Sequence, residues 1–309
     1  GTVLSINAAA RELFGAAEDC VGADFLTVER SHDMSAAVEK ARESGHSELR
    51  MPRGGREYQF DISRIESGGE TVGTVILAFD ITEQEYAERN RREFTANVSH
   101  ELKTPLQGII GSAELIENGM VKPEDVPRFV GHIHTEAARL VTLIGDIIRL
   151  SQLDEGDEMP KERFDILAEA KSAVDSLAPA AAARNIMLSA EGESAEINGV
   201  RRLVYEIIYN LADNAIKYNK DGGSVRVTVE KCGGDAVLTV ADTGIGIAPE
   251  HQSRIFERFY RVDKSHSKAS GGTGLGLSIV KHAAAYHHAK IELESAEDEG
   301  TTIRVIFPL

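Results

Sequence analysis

The sequence predicts a multidomain α+β chain in three parts: an α/β module over residues 1–82, an antiparallel helical hairpin over residues 83–154, and a two-layer α/β sandwich over residues 163–309. Three observations carry this. Apolar residues alternate at a period of two over short runs near both ends of the chain. In the middle they recur at three- and four-residue steps over two long runs. Between these stretches the sequence turns polar and takes Gly or Pro. A length of 309 residues suits two or three domains.

The elements follow in order. Val3-Leu4-Ser5-Ile6 reads as a short strand, and Ala8 to Phe14 has helical spacing. Tyr58-Gln59-Phe60-Asp61-Ile62 alternates as a half-buried strand. Gly68-Gly69 turns into another strand over residues 71–79, and Pro52, Gly54 and Gly55 read as loop punctuation. In the hairpin, Phe94, Val98, Leu102, Leu106, Ile109, Ala113 and Ile116 form one stripe, which leaves His100 and Thr104 on another face. Phe129, Ile133, Ala137, Leu140, Ile144, Ile147 and Leu150 form a second stripe. Asn118-Gly119 ends the first helix, and Pro123 resets the chain. One hairpin has one apolar stripe and nothing beneath it, so two chains are expected to pair as a four-helix bundle, a homodimer. Residues 155–162, with Gly156 and Pro160, read as a hinge. Beyond it, residues 224–230 and 236–241 read as adjacent strands, Arg202 to Lys217 as a helix, and residues 291–294 with 302–307 as a terminal hairpin. Strand pairs with helices to one side make a two-layer sandwich.

Composition narrows the function. There are 34 Lys and Arg against 50 Asp and Glu, a net charge of −16. Nucleic acid and anionic membrane surfaces both want a basic face, so neither is an expected partner. Any local basic cluster in this background is informative, and the resemblance drawn below singles out Lys217, Arg258, Arg261, Lys264 and Lys268 as cations around a polyanionic ligand. Cys20 and Cys232 lie far apart, which argues against a disulfide framework or a cysteine zinc site. No apolar run has transmembrane length, and no signal peptide is visible.

The strongest single signal is His100-Glu101-Leu102-Lys103-Thr104-Pro105. His100 and Thr104 are four apart, hence one turn from each other on one helix face. Pro105 has no N–H, so the carbonyl of Glu101 loses its helical partner and a bend is expected there. A neutral imidazole is a nucleophile near neutral pH, and an adjacent carboxylate can take the Nδ1 proton and leave the Nε2 lone pair free. Glu101 fits that role, and Thr104 can position a water. The other helix-borne histidines, His132, His134, His287 and His288, read as solvated surface residues.

If His100 is an acceptor, a donor site must follow. No Walker loop is present. Asn210, Asn214 and Lys217 sit at i, i+4 and i+7 on one helix face, while Leu203, Ile207, Leu211 and Ala215 share another, the expected core. Amide oxygens suit Mg²⁺, and a lysine beside them neutralises phosphate charge. Tyr218 follows directly. Asp242-Thr243-Gly244-Ile245-Gly246 comes after a strand, where a buried Asp can accept from an adenine amine. Gly271-Gly272-Thr273-Gly274-Leu275-Gly276 opens a helix whose first N–H groups can face phosphate.

The string through residues 94–109 resembles the phosphoacceptor motif of sensor histidine kinases, and residues 163–309 resemble their Bergerat-type ATP-binding domain, shared with gyrase, Hsp90 and MutL. The resemblance implies a dimeric bundle in which ATP phosphorylates His100, with transfer to an aspartate of a response-regulator receiver domain. Glu101-Leu102-Lys103-Thr104 is similar to the family's motif for dephosphorylating the regulator, with Thr104 holding the attacking water. ATP and Mg²⁺ are the implied cofactors. Asn214 holds the metal, Asn210 and Lys217 lie near the phosphates, Asp242 takes the adenine, Arg261 reaches the γ-phosphate, and residues 262–270 form a lid. In the related ATPases a Glu stands where Asn210 is, and an amide cannot activate water. Residues 1–82 resemble a PAS sensor, through Ile6-Asn7-Ala8-Ala9-Ala10 and Phe79-Asp80-Ile81-Thr82, with ligand binding and simple dimerisation both open. By the same resemblance the chain is expected to be the cytoplasmic region of a protein anchored in the bacterial inner membrane through a segment outside this sequence. Two other readings stand beside the kinase. One is a signalling scaffold without phosphoryl transfer, and the other is a plain ATPase of the gyrase type. Whether His100 is phosphorylated in cis or in trans stays open.

Overall fold

The computed structural model describes residues 1–154, 159–262 and 272–309. Its chain divides into two units, Gly1–Ala96 and Asn97–Leu309, the second holding the hairpin and the sandwich together.

In the first unit the Asn7 side chain accepts the Ala10 N–H and starts α1 (Ala8–Phe14), as a good N-cap does. Short α2 (Phe25–Val28) and longer α3 (His32–Ser44) follow. Three antiparallel strands come next in the order β1 (His46–Arg53), β2 (Arg56–Ser67), β3 (Glu70–Asp80). Met34, Ala37 and Ala41 of α3 pack on Phe60 and Ile62 of β2, the two predicted inward positions of that strand. Two expectations fail. Residues 3–6 form no strand: only Thr2 bridges to Asp24, and the chain turns at once into α1. Pro52 lies inside β1 and not in a loop. Since β1 is an edge strand, a residue without N–H is tolerated there.

Asp80 Oδ1 accepts from the Thr82 N–H at 3.1 Å where α4 (Thr82–Glu117) begins. This helix continues through Pro105 without interruption. After Gly119, at φ 65°, and a 3₁₀ turn over Pro123–Asp125, α5 (Val126–Asp154) returns. Glu101 meets Arg139 and Ser112 meets His132, so the two helices run antiparallel. Leu106 was expected to face inward but is 48% exposed, whereas Pro105 is buried. Ile110, Val141, Ile144 and Ile148 are exposed as well. The expected hinge begins in residues 155–158, outside the described residues, and its last residue, Glu162, already starts a strand.

The sandwich adds β4 (Glu162–Asp165), α6 (Ile166–Ala182), β5 (Met187–Gly192), β6 (Glu196–Gly199), α7 (Arg201–Lys217), β7 (Ser224–Cys232), β8 (Asp235–Asp242), α8 (Pro249–Gln252), α9 (Gly276–Tyr286), β9 (Lys290–Ala296) and β10 (Gly300–Pro308). Its sheet has the order β5-β7-β8-β10-β9, with β5 and β7 parallel and the other pairs antiparallel. Val225, Val227 and Val229, then Leu238 and Val240, then Ile303, Val305 and Phe307 face one side at a period of two. Helices α6, α7 and α9 cover that side, and the Leu203, Ile207, Leu211 and Ala215 stripe of α7 is buried in the core they share.

His287 departs from its expected place on the surface. It is buried against Phe307, its Nδ1 donates to the Ala283 carbonyl at 2.7 Å, and its Nε2 accepts the Val200 N–H at 2.9 Å. Both ring nitrogens are used by a neutral imidazole, and burial lowers its pKa. The ring thereby caps the start of α7 and helps set where that helix points.

Candidate active site

Two sets of residues carry the chemistry, one on the hairpin and one in the sandwich. On α4 the His100 side chain is 80% exposed, and its Nδ1 lies 3.8 Å from Glu101 Oε1. The other Glu101 oxygen is 3.7 Å from Arg139 of α5, a side chain that the helical pattern alone did not single out. Thr104 donates its hydroxyl to the His100 carbonyl at 3.2 Å. Imidazole, carboxylate and hydroxyl therefore share one solvent-facing stretch within a single turn.

In the sandwich, α7, the end of β8 and the start of α9 converge on one groove. Asp242 ends β8. Its Oδ1 accepts the Gly244 N–H at 2.8 Å and the Thr301 N–H at 3.3 Å, and among the described residues Oδ2 has no hydrogen-bond donor. Burial raises the Asp242 pKa, and the two backbone donors oppose that rise. On α7, Lys217 pairs with Asp213 at 2.7 Å. Asn210 donates to the Glu206 carbonyl at 2.8 Å and turns its Oδ1 toward Gly276 at the first turn of α9. Asn214, one turn on, is half-buried. Arg184, from the loop after α6, donates to the carbonyls of Ile216 and Lys217 and so fixes the end of α7 beside the groove.

The glycines have reasons inside the protein. A Cβ on Gly244 would lie 2.5 Å from the Tyr218 carbonyl oxygen, and one on Gly246 would lie 1.8 Å from that of Ala296. On Gly276 it would meet Asn210 Oδ1 at 2.8 Å. Gly274 takes φ 75°, the left-handed region where side chains are strained. Gly272 lies in more open space, where a Cβ would come no nearer than 3.8 Å to Arg261 and 3.9 Å to the Tyr218 hydroxyl. Tyr218, Arg261, Gly272 and Gly274 are thus brought together. Gly271 and residues 263–270 of the expected lid, with Lys264 and Lys268, lie outside the described residues.

One expected cation points elsewhere. Arg258 donates to Asp154 Oδ1 of α5 at 2.6 Å and sits 3.0 Å from His282 Nε2, so it joins sandwich to hairpin. Asp146 of α5 makes a second junction, since its Oδ2 accepts the Thr273 hydroxyl at 2.8 Å. Arg149 makes a third, at 3.3 Å from Glu206 Oε1 of α7. Glu206 is buried with its Oε2 lacking a hydrogen-bond partner among the described residues, and burial raises its pKa against the pull of Arg149 and Arg202.

One unit thus carries a helical hairpin with an exposed histidine and a sandwich with an acidic strand end and a glycine-led helix. Sequence comparison gives the family. Residues 90–156 match the His Kinase A (phospho-acceptor) domain, and residues 199–309 match the histidine kinase-, DNA gyrase B- and HSP90-like ATPase domain. Sensor-like histidine kinase SenX3 of Mycolicibacterium smegmatis is 39% identical over 236 residues, 76% of this chain and 62% of that protein. SenX3 of Mycobacterium tuberculosis is 34% identical over 279 residues, 84% of this chain and 68% of that protein. The chain thus spans about three fifths of the length of the first of these relatives. Among solved structures, histidine kinase ThkA in complex with response regulator protein TrrA covers 100% of this chain and 92% of its own, at TM-score 0.57 and 22% identity, a likeness of fold. Full-length ShkA in complex with AMPPNP covers 70% of this chain and 45% of its own, at TM-score 0.54 and 27% identity. The chain belongs to the two-component sensor histidine kinase family. Among the described residues no helix is long and apolar enough to cross a membrane.

Proposed function

We propose that the chain is an ATP-dependent protein-histidine kinase that phosphorylates His100 and passes the phosphoryl group to an aspartate of a response-regulator receiver domain. The observation that carries this reading is the exposed imidazole of His100, set between Glu101 and Thr104, on the same unit as the groove of Asp242, Asn214, Lys217 and Thr273. Oδ2 of Asp242 suits the adenine amine. The Lys217 ammonium and Arg261 guanidinium suit the phosphates, and the α9 N-terminus offers N–H groups to them. In the transfer, His100 Nε2 attacks the γ-phosphorus. The N–P bond forms, the bond to the β–γ bridging oxygen breaks, and ADP leaves with that electron pair. Glu101 stabilises the positive charge that builds on the ring through Nδ1. Asn214 supplies the amide oxygen that fits Mg²⁺, which when bound neutralises phosphate charge, and Asn210 lies near the phosphates. Asn210 also lacks a basic carboxylate, which disfavours loss of the phosphoryl group to water.

The exposed apolar face of the hairpin supports a homodimer, with a second copy completing a four-helix bundle. ThkA was solved with a response regulator, which supports the same class of partner here. A regulator phosphatase activity rests on Thr104, whose hydroxyl oxygen can accept from and orient a water. In the first unit, the three antiparallel strands and the helix α3 packed on them support the PAS-like sensor reading. Incubation with [γ-³²P]ATP tests the proposal. Wild type should gain acid-labile label and His100→Gln none, and label persisting in the variant overturns the assignment. Thr104→Ala should keep autophosphorylation while regulator dephosphorylation falls by about tenfold or more. Equal loss of both removes the water-positioning role.

A further inference from the structure

At the Asp242 end of the groove, the chain leaves α7 around a buried amide. Asn219 follows Tyr218 and is 5% exposed. Its Nδ2 donates to the Ser224 carbonyl at 3.0 Å. Its Oδ1 accepts the Lys220 N–H at 2.9 Å and the Thr243 hydroxyl at 3.3 Å. Its own carbonyl accepts from Arg184 Nη2 at 3.3 Å, next to the two α7 carbonyls that Arg184 also holds. The loop then closes over the side chain. Gly222 turns at φ 74°, and a Cβ on Gly223 would lie 2.1 Å from Asn219 Oδ1 and 2.8 Å from Thr243 Oγ1. An apolar residue could fill this space but would give the Thr243 hydroxyl no acceptor there. A buried polar group with its partners in place fixes one geometry where packing alone permits several.

Thr243 is the neighbour of Asp242 in the chain. Its hydroxyl donates to Asn219 and accepts the Ser224 N–H at 2.9 Å, and its N–H donates to the Ser224 carbonyl at 3.2 Å. Two residues on, the Ile245 N–H donates to the Tyr218 carbonyl at 3.1 Å. The backbone that follows Asp242 is thus tied to the end of α7, and it carries the Gly244 N–H that holds Asp242 Oδ1. Movement at Thr243 would move that donor and turn the carboxylate with it. A recognition group has to be held to within ~0.5 Å of its working position.

We propose that Asn219 is a positioning residue for base selection: through the Thr243 hydroxyl it sets where Asp242 Oδ2 points, and so makes the groove prefer a purine with an exocyclic amine over one with an exocyclic carbonyl. The proposal rests on the nucleotide reading of the groove. An amine gives the carboxylate a hydrogen, whereas a carbonyl sets oxygen against oxygen. That difference is large only while the carboxylate is held in place. A carboxylate able to turn aside loses the bond to the amine and relieves the clash with the carbonyl.

The test is labelling of His100 in the full chain with Mg·ATP and with Mg·inosine triphosphate, whose base carries oxygen in place of the amine. Wild type should prefer ATP in kcat/KM. Asn219→Ala should raise KM for ATP about fivefold or more at near-constant kcat and change that for inosine triphosphate by less than about twofold, so that the preference collapses. Thr243→Val removes the hydroxyl through which Asn219 acts. It should have the same effect, and it carries the test should Asn219→Ala fail to fold. The double variant should lose little more than either single one. Equal losses for the two nucleotides mark a merely structural residue and overturn the proposal, as does an unchanged preference for ATP. Folded wild type labelled equally by both removes the Asp242 contact to the amine, and wild type labelled by neither overturns the nucleotide reading. The proposal falls with either.

Discussion

The sandwich and the hairpin bury their apolar residues to opposite degrees. In α7 the Leu203, Ile207, Leu211 and Ala215 stripe is almost wholly covered by the sheet and by α6 and α9. In α5 the stripe residues Phe129, Ile133, Ala137, Leu140 and Ile147 are only partly covered, and Val141, Ile144 and Ile148 beside them are 72%, 47% and 53% exposed. Both helices are amphipathic by the same rule. The sandwich completes a core within one chain, whereas the hairpin offers half of one. The same contrast holds for the polar groups. Asp242 is fixed by two backbone N–H donors, while the His100 ring has a carboxylate 3.8 Å away and faces solvent. A donor site gains from being set in advance. An acceptor that must meet both the kinase groove and a regulator needs to stay open.

This contrast can be broken by substitution. The largest effect is expected at Ile207→Ala, which removes fully buried atoms from a closed core. Denaturant unfolding should show a loss of ~2–5 kcal/mol in the sandwich transition. A loss below ~1 kcal/mol would mean that this core is looser than its burial implies. Ile144→Glu is the counterpart on the open face. It should leave the sandwich transition within ~0.5 kcal/mol of wild type. It should also weaken self-association, measured by sedimentation, by ~2 kcal/mol or roughly thirtyfold. An unchanged dimer constant would place the second copy on some other surface.

Local features were legible in the sequence where one element sufficed to decide them. The period of α7, the alternation of β7 and β8 and the Gly119 stop all depend on neighbours a few residues away, and the structure keeps them. The failures share a cause. Within residues 3–6 the pairing stops after Val3, which donates to the Ala23 carbonyl and accepts the Gly22 N–H, and Pro52 survives in β1 because that strand lies at the edge of its sheet. The burial of His287 depends on Val200, 87 positions away in sequence. The Arg258–Asp154 and Thr273–Asp146 contacts join residues 104 and 127 positions apart. No period within α5 could mark Asp146, since its partner is set by how the sandwich rests on the hairpin. The groove residues were readable as a group because their types, amide, carboxylate, lysine and glycine, are tied to chemistry as well as to position.

The glycines carry a consequence for how such chains drift. Gly244 and Gly246 are held by steric contact with the protein's own backbone carbonyl oxygens, whether or not a nucleotide ever enters. A descendant that lost catalysis would still be punished, as a misfolded chain, for replacing them. Intact glycine boxes therefore testify to a surviving fold. The residues free to decay in a silenced copy are those the fold does not need: the open imidazole of His100, the Asn214 amide and the Thr104 hydroxyl. Those are the positions at which a working copy and a relic would part.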